Sequence, residues 1–207
     1  LMIRRPPRST LDRSSAASDV YKRQITYVVS IFVLIGIGFV AVNIISVGGL
    51  YLPGYAYRNM FKKILGFTNG FGLQLAFIVS LASILGSLFY SEIAGYYPCP
   101  LCWYQRIAMY PLVIVLGVAL WKSDYSVSKY VIPVSAIGFL LSCYHYAMQY
   151  VPNFFQDSCS GGFSCQYKWI SIFGFISIPL MALTSFAIIL ICMSVIHINK
   201  LDVFTDD

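Results

Sequence analysis

WISIFGFISIPLMALTSFAIILICMSVIHI, residues 169–198, contains no Asp, Glu, Lys or Arg, and His197 is its one basic side chain. A membrane-crossing helix needs roughly 20 apolar residues, because about 30 Å of hydrocarbon must be spanned at 1.5 Å per residue. Two further runs, Ile25–Tyr57 and Gly66–Ser91, carry no charge at all. Over the 207 residues, 58% are hydrophobic and 11% are charged, where a soluble domain carries about 25% charged residues. A deficit gathered into long uncharged runs points to membrane spans, not to a large soluble core.

Working outward, five hydrophobic segments are expected, at about 25–47, 71–91, 101–121, 130–150 and 169–197. The last four are closely spaced, as in an antiparallel helical bundle. The fold expected is therefore an all-α membrane protein: a four-helix transmembrane bundle over 65–200 plus one extra N-terminal transmembrane helix at 25–47. The composition assigns that extra helix no role.

The net charge of +6 does not imply a nucleic-acid partner. Residues 1–24 hold six basic and two acidic side chains, a net +4, which leaves +2 for the rest and no basic face. This Arg/Ser/Pro-rich head has no apolar period and is expected to be disordered. It also resembles translated sequencing-adapter read-through, and a genuine basic tail is the alternative.

Orientation follows from the basic residues in the loops. Arg58, Lys62, Lys63, Lys122, Lys129 and Lys200 fall on one side if all segments span, against Lys168 and Arg106 on the other. Six against two places the first set in the cytoplasm. Cys99 and Cys102 precede or open the third segment, and Cys159 and Cys165 lie between the fourth and fifth. Two crossings separate these loops, so both pairs share the outer side, where thiols can pair.

The first pair reads PCPLCWYQR at 98–106. Pro98 and Pro100 stop helix upstream, and Pro100 suits a first helical turn. The positive end of the helix then favours a thiolate. Arg106 lies one turn after Cys102 on the same face. Two readings stand: an anchor reaching the headgroups, or a cation stabilising the Cys102 thiolate and negative charge on an electron acceptor.

The second pair reads SCSGGFSC at 158–165, where Gly161 and Gly162 make a short bridge feasible. It could be redox-active or a structural staple. A zinc site formed by all four cysteines is disfavoured by the wide second spacing, so no metal is expected. Cys143 and Cys192 read as packing residues inside helices. His145 lies near the outer surface with Gln149 one turn on, either as an interior histidine or as a ligand contact.

At these residues the chain closely resembles the DsbB/BdbC family of quinone-linked, disulfide-generating membrane proteins. The motifs are CPLCWYQRIAMYPL at 99–112, YHYAMQ at 144–149, the outer-loop pair, and KWISIFGFISIPLMAL at 168–183. The resemblance covers roughly 65–200. The close second pair matches the compact BdbC-type branch, and the segment at 25–47 departs from the family's four helices.

The resemblance implies a bacterial inner-membrane protein that reoxidises an extracytoplasmic DsbA/BdbD-like thioredoxin-fold partner and passes electrons to ubiquinone or menaquinone. Cys159 and Cys165 would oxidise the partner, with Cys159 forming the mixed disulfide. Cys99 and Cys102 would reoxidise that pair, and Cys102 would face the quinone, with Arg106 beside it and His145 nearby. Two alternatives remain: a reductase resembling vitamin K epoxide reductases, and a non-catalytic scaffold stapled by its bridges. In the former family the C-x-x-C lies near the last helix, whereas here it opens the second helix of the bundle. A transporter is disfavoured because no acidic residue lies within a span.

Overall fold

The structure is a computed structural model that describes residues 10–49, 55–151 and 164–200. Five helices follow one another: α1 (Thr10–Gly49), α2 (Tyr55–Leu88), α3 (Pro100–Lys122), α4 (Ser128–Tyr150) and α5 (Ile178–Lys200). Each is long and apolar enough to cross a membrane. The architecture is that of an all-α, multi-pass membrane protein.

The helices α2, α3, α4 and α5 close a ring in which each packs on the next and α5 returns to α2. The helix α1 lies outside this ring, against α5 and α2. The connection from α3 to α4 is a few residues long and includes a 3₁₀ turn at Tyr125–Val127 capped by Asp124, whose carboxylate accepts from the Ser126 amide at 2.8 Å. Ser123 adopts the left-handed conformation at the end of α3, with φ 51°. The joints before α3 and after α4 therefore lie together at the opposite end of the bundle, if each helix crosses once.

Water drives no helix association within lipid, so close packing and internal hydrogen bonds hold such a bundle. Phe186, Ile189, Cys192 and Met193 of α5 are fully buried, and they pack with Leu73 and Ala76 of α2, Leu112 and Leu116 of α3, and Val131 of α4. Side chains such as Ile78, Leu85, Ile114 and Leu140 point outward, where lipid is the matching solvent. Serine hydroxyls within the helices return to carbonyls one turn earlier, as Ser135 does to Val131 and Ser142 to Gly138.

Three boundaries differ from those expected. The helix α2 begins at Tyr55, well before 71, because its first turns, with Arg58, Lys62 and Lys63, are helical without being apolar. The apolar run from 169 does not begin a helix there. Ile172 and Ile176 exchange backbone hydrogen bonds of 3.1 and 2.9 Å around a turn in which Phe173 and Gly174 have φ of 53° and 77°. The helix α5 starts only at Ile178, with Pro179 in its first turn, because Pro lacks an amide hydrogen and is tolerated there. At the other end, α1 continues back to Thr10, into the segment whose composition suggested disorder; Thr10–Gln24 contains neither Gly nor Pro.

The helices α4 and α5 approach closely at Gly138, where a Cβ would enter the Phe186 ring. Phe186 is wholly buried and has no room to retreat. We expect Gly138→Ala to destabilise the bundle by about 1–3 kcal/mol through overpacking, seen as a fall in Tm of the detergent-solubilised protein. An unchanged Tm would show that the ring can move aside.

Candidate functional site

The helix α3 begins where Pro98 and Pro100 require. Cys99 is its N-cap residue, in extended conformation with φ −72° and ψ 165°, and Pro100 is the first helical residue. The Cys99 carbonyl accepts from the Trp103 amide at 3.2 Å. Cys102 is thus in the first turn, and its sulphur lies 3.2 Å from that of Cys99 as a free thiol within hydrogen-bonding reach.

His145 of α4 reaches the same point. It is 1% exposed, and its Nε2 lies 3.6 Å from the Cys99 sulphur. Its Nδ1 lies 3.3 Å from the Gln105 amide nitrogen of α3. The sequence marked His145 but passed over Gln105. The available signal was a polar side chain one helical turn beyond Cys102 in an otherwise apolar run.

Arg106 points to α2. Its Nε donates to the Ser87 hydroxyl at 2.8 Å and its Nη2 to the Ser87 carbonyl at 3.0 Å. The guanidinium also lies 5.2 Å from the Trp103 ring centroid, within cation–π range. Just beyond Ser87, α2 loosens into a π-helical turn at Phe89–Ile93, with the Ala94 amide donating to the Phe89 carbonyl at 2.9 Å. Such turns are frequent at functional sites.

Cys165 is disulfide-bonded and 1% exposed. Cys159, the other member of the expected outer-loop pair, lies outside the described residues, as do Gly161 and Gly162. Cys165 belongs to one buried cluster with Cys99, Leu101 and Met148, and Cys102 packs against it. A cavity of about 20 Å³ is lined by Cys99, Cys102, His145, Gln149, Cys165 and Ser177, among others. Gln149 donates from its amide to the Tyr167 carbonyl at 3.3 Å and so ties the end of α4 to the segment carrying Cys165. Gln149 Oε1 and Ser177 Oγ are buried without a hydrogen-bond partner among the described residues. Cys143 and Cys192 are free thiols away from this cluster, and Cys192 lies in the bundle core.

The electrostatics favour thiolate at Cys99. A hydrogen bond from the Cys102 thiol lowers its pKa most; burial opposes this, and the bond and charge of His145 add to the lowering. A thiolate is the species that attacks or leaves a disulfide. The arrangement can therefore carry out thiol–disulfide exchange between pairs. Cys99, Cys102 and His145 also bring three donor atoms within 4.8 Å of one another, a trio that could ligate a soft ion. Hydrogen bonding accounts for the 3.2 and 3.6 Å separations by itself.

Comparison with known proteins agrees with this chemistry. Residues 70–196 match the family described as disulfide bond formation protein DsbB. Disulfide bond formation protein C of Bacillus subtilis is 46% identical over 129 residues, which cover 62% of this chain and 94% of that protein. A probable disulfide formation protein C of Bacillus cereus is 43% identical over 131 residues, covering 63% and 94%. A probable disulfide formation protein of Oceanobacillus iheyensis is 48% identical over 122 residues, covering 58% and 83%. No solved structure matches. The chain belongs to the DsbB family of disulfide bond formation proteins, and its role lies in disulfide formation.

The depressed Cys99 pKa has a measurable consequence. Thiolate should persist at Cys99 as pH falls below the ordinary thiol value of about 8.5, and should be lost only on passing through the lower, folded value. Site-resolved alkylation of the reduced protein across pH should show Cys99 reacting at pH 7, and Cys102→Ala should move that profile upward. A Cys99 profile centred near 8.5 in the unmodified protein would contradict the geometry.

Proposed function

We propose that the chain reoxidises a thioredoxin-fold thiol oxidase of the DsbA/BdbD type outside the cytoplasm and delivers the electrons to a membrane quinone. The observation that carries this reading is that Cys99, Cys102 and Cys165 line one cavity and share one buried cluster. A Cys99–Cys102 pair and a disulfide-bonded Cys165 gathered in this way could exchange directly, whereas staples for separate loops have no need to meet.

The reaction balances as three two-electron transfers. A dithiol on the partner reduces the Cys159–Cys165 disulfide through a mixed disulfide at Cys159, and the partner leaves oxidised. The resulting dithiol reduces a Cys99–Cys102 disulfide by thiolate attack, with Cys165 as the cysteine on the shared cavity. The reduced Cys99–Cys102 pair would then give up two electrons and two protons, for which ubiquinone or menaquinone would supply the acceptor when bound. Each exchange passes one disulfide bond onward, so no net oxidant is consumed except the quinone.

The residues suit such an acceptor. Cys102 is partly accessible, and the first turns of α3 expose Trp103, Tyr104 and Ile107. A quinone approaching from lipid meets this apolar surface. Arg106, fixed by Ser87, would bind the acceptor's oxygens as a preorganised cation. His145 would hold the Cys99 thiolate. The charge balance of the loops supports an outer-side location for both pairs in a bacterial cell membrane.

Purified protein given quinone should oxidise a reduced thioredoxin-fold partner, and Cys99→Ser or Cys102→Ser should abolish turnover. Turnover undiminished by either change would rule the reading out. Arg106→Met should raise the quinone KM roughly tenfold or more, since one charge-assisted hydrogen bond is worth about 1.5–3 kcal/mol. Partner affinity should be unchanged. If quinone KM and turnover both stay constant, Arg106 only anchors the helix.

A further inference from the structure

Gln105 occupies a position that no step above uses. It is 6% exposed, inside α3, and its amide nitrogen lies 3.3 Å from Nδ1 of His145. With its nitrogen toward the ring the Gln105 amide donates, and Nδ1 accepts. The ring proton of the neutral imidazole then sits on Nε2, the nitrogen 3.6 Å from the Cys99 sulphur. In this orientation Nε2 faces the thiol as the donor.

We propose that Gln105 is a positioning residue, holding His145 so that its Nε2–H is aimed at the Cys99 sulphur when that sulphur is a thiolate. The inference rests on the reading of Cys99 as a redox cysteine. It deepens that reading by naming the group that orients the histidine. Gln suits the task better than a carboxylate or a lysine. With its nitrogen toward the ring, it supports the neutral tautomer that donates from Nε2. With the amide turned over, its oxygen accepts from Nδ1–H and supports the imidazolium. One uncharged side chain therefore serves both protonation states of the ring without placing another charge beside the thiolate. The helix geometry makes this possible. Gln105 follows Cys102 by three residues, so both lie on the face of α3 that meets α4.

The charged and titratable groups around Cys99 are Cys102 and Arg106 on α3, His145 on α4, and Tyr97 and Tyr167 in the segments lining the cavity. Arg106 is bound to Ser87 on α2. Of these groups, Gln105 is hydrogen-bonded to His145, so a shift in Cys99 reactivity on changing Gln105 reports on the ring it orients.

The test is the pH dependence of iodoacetamide alkylation at Cys99, located by peptide mass spectrometry. It is measured on the reduced full-length protein in detergent, without quinone or partner. Gln105→Leu should move the Cys99 profile up by about one pH unit, a tenfold slower reaction below it. Gln105→Met, closer in length and unbranched, should do the same and decides the matter if the leucine variant does not fold. In a His145→Leu background, Gln105→Met should have no further effect, because the orienting residue then has nothing to orient. An unmoved profile in the Gln105 variants, or an equal shift with His145 already removed, would overturn the proposal. Quinone-linked turnover of the unmodified protein is a separate measurement. If it is absent while the profiles behave as described, the proposed function fails and the role of Gln105 stands.

Discussion

The contact between the first turn of α3 and the C-terminal end of α4 constrains the rest of the site. A histidine at 1% exposure inside a membrane bundle must satisfy both ring nitrogens or destabilise the protein. Here one nitrogen faces Gln105 and the other Cys99. That requirement sets the register of α3 against α4, because the cap residue and a residue two turns later must both reach the same ring. The tight α3–α4 connection limits how far the two helices can slide. The chemistry at one end of the bundle is thus fixed partly by a short turn at the other.

The two halves of the bundle hold together by different means. Around Phe186 and Leu116 the interior is apolar, and helices approach through small residues such as Gly138. Toward the cysteine end, hydrogen bonds take over: Gln149 to Tyr167, Tyr146 to the Phe175 carbonyl, and Tyr150 to the Gly174 carbonyl. The α4 end therefore clamps the segment that carries Cys165. In the proposed exchange, the Cys165 disulfide would open and close there without loosening the apolar core. Gln149 Oε1 and Ser177 Oγ, without hydrogen-bond partners among the described residues, lie beside the same cavity.

The number of spans and the bundle were legible in the sequence because uncharged run length is a direct measure of hydrocarbon thickness. The start of α3 was equally legible, since two prolines around Cys99 leave little choice. The start of α5 was not. Residues 169–177 are as apolar as the helix that follows, and only the Gly174 turn and Pro179 distinguish them. Among the site residues, His145 and Arg106 stood out as polar groups in apolar helices, but their partners did not. Ser87 and Gln105 meet them across helix interfaces, and spacing along one chain carries no information about rotation between two helices.

Arg106 illustrates why that cross-helix information matters. A guanidinium free to snorkel would spread its charge over the interface and face headgroups. Bound through two of its nitrogens to Ser87 and set against Trp103, it has lost that freedom before any ligand arrives. The π-helical turn next to Ser87 sits where a regular helix would have continued. The family match begins at residue 70 and takes in this contact, but leaves out α1. That helix is tied to the bundle by the buried Thr68 hydroxyl, which donates to Asn43 Oδ1 at 2.9 Å. A polar pair in an apolar interface prefers one docking orientation over others, because rotation of α1 would take the Thr68 donor away from Asn43 Oδ1. The helix α1 is thereby held at the face of α2 and α5, while the cysteines gather where α3 and α4 meet.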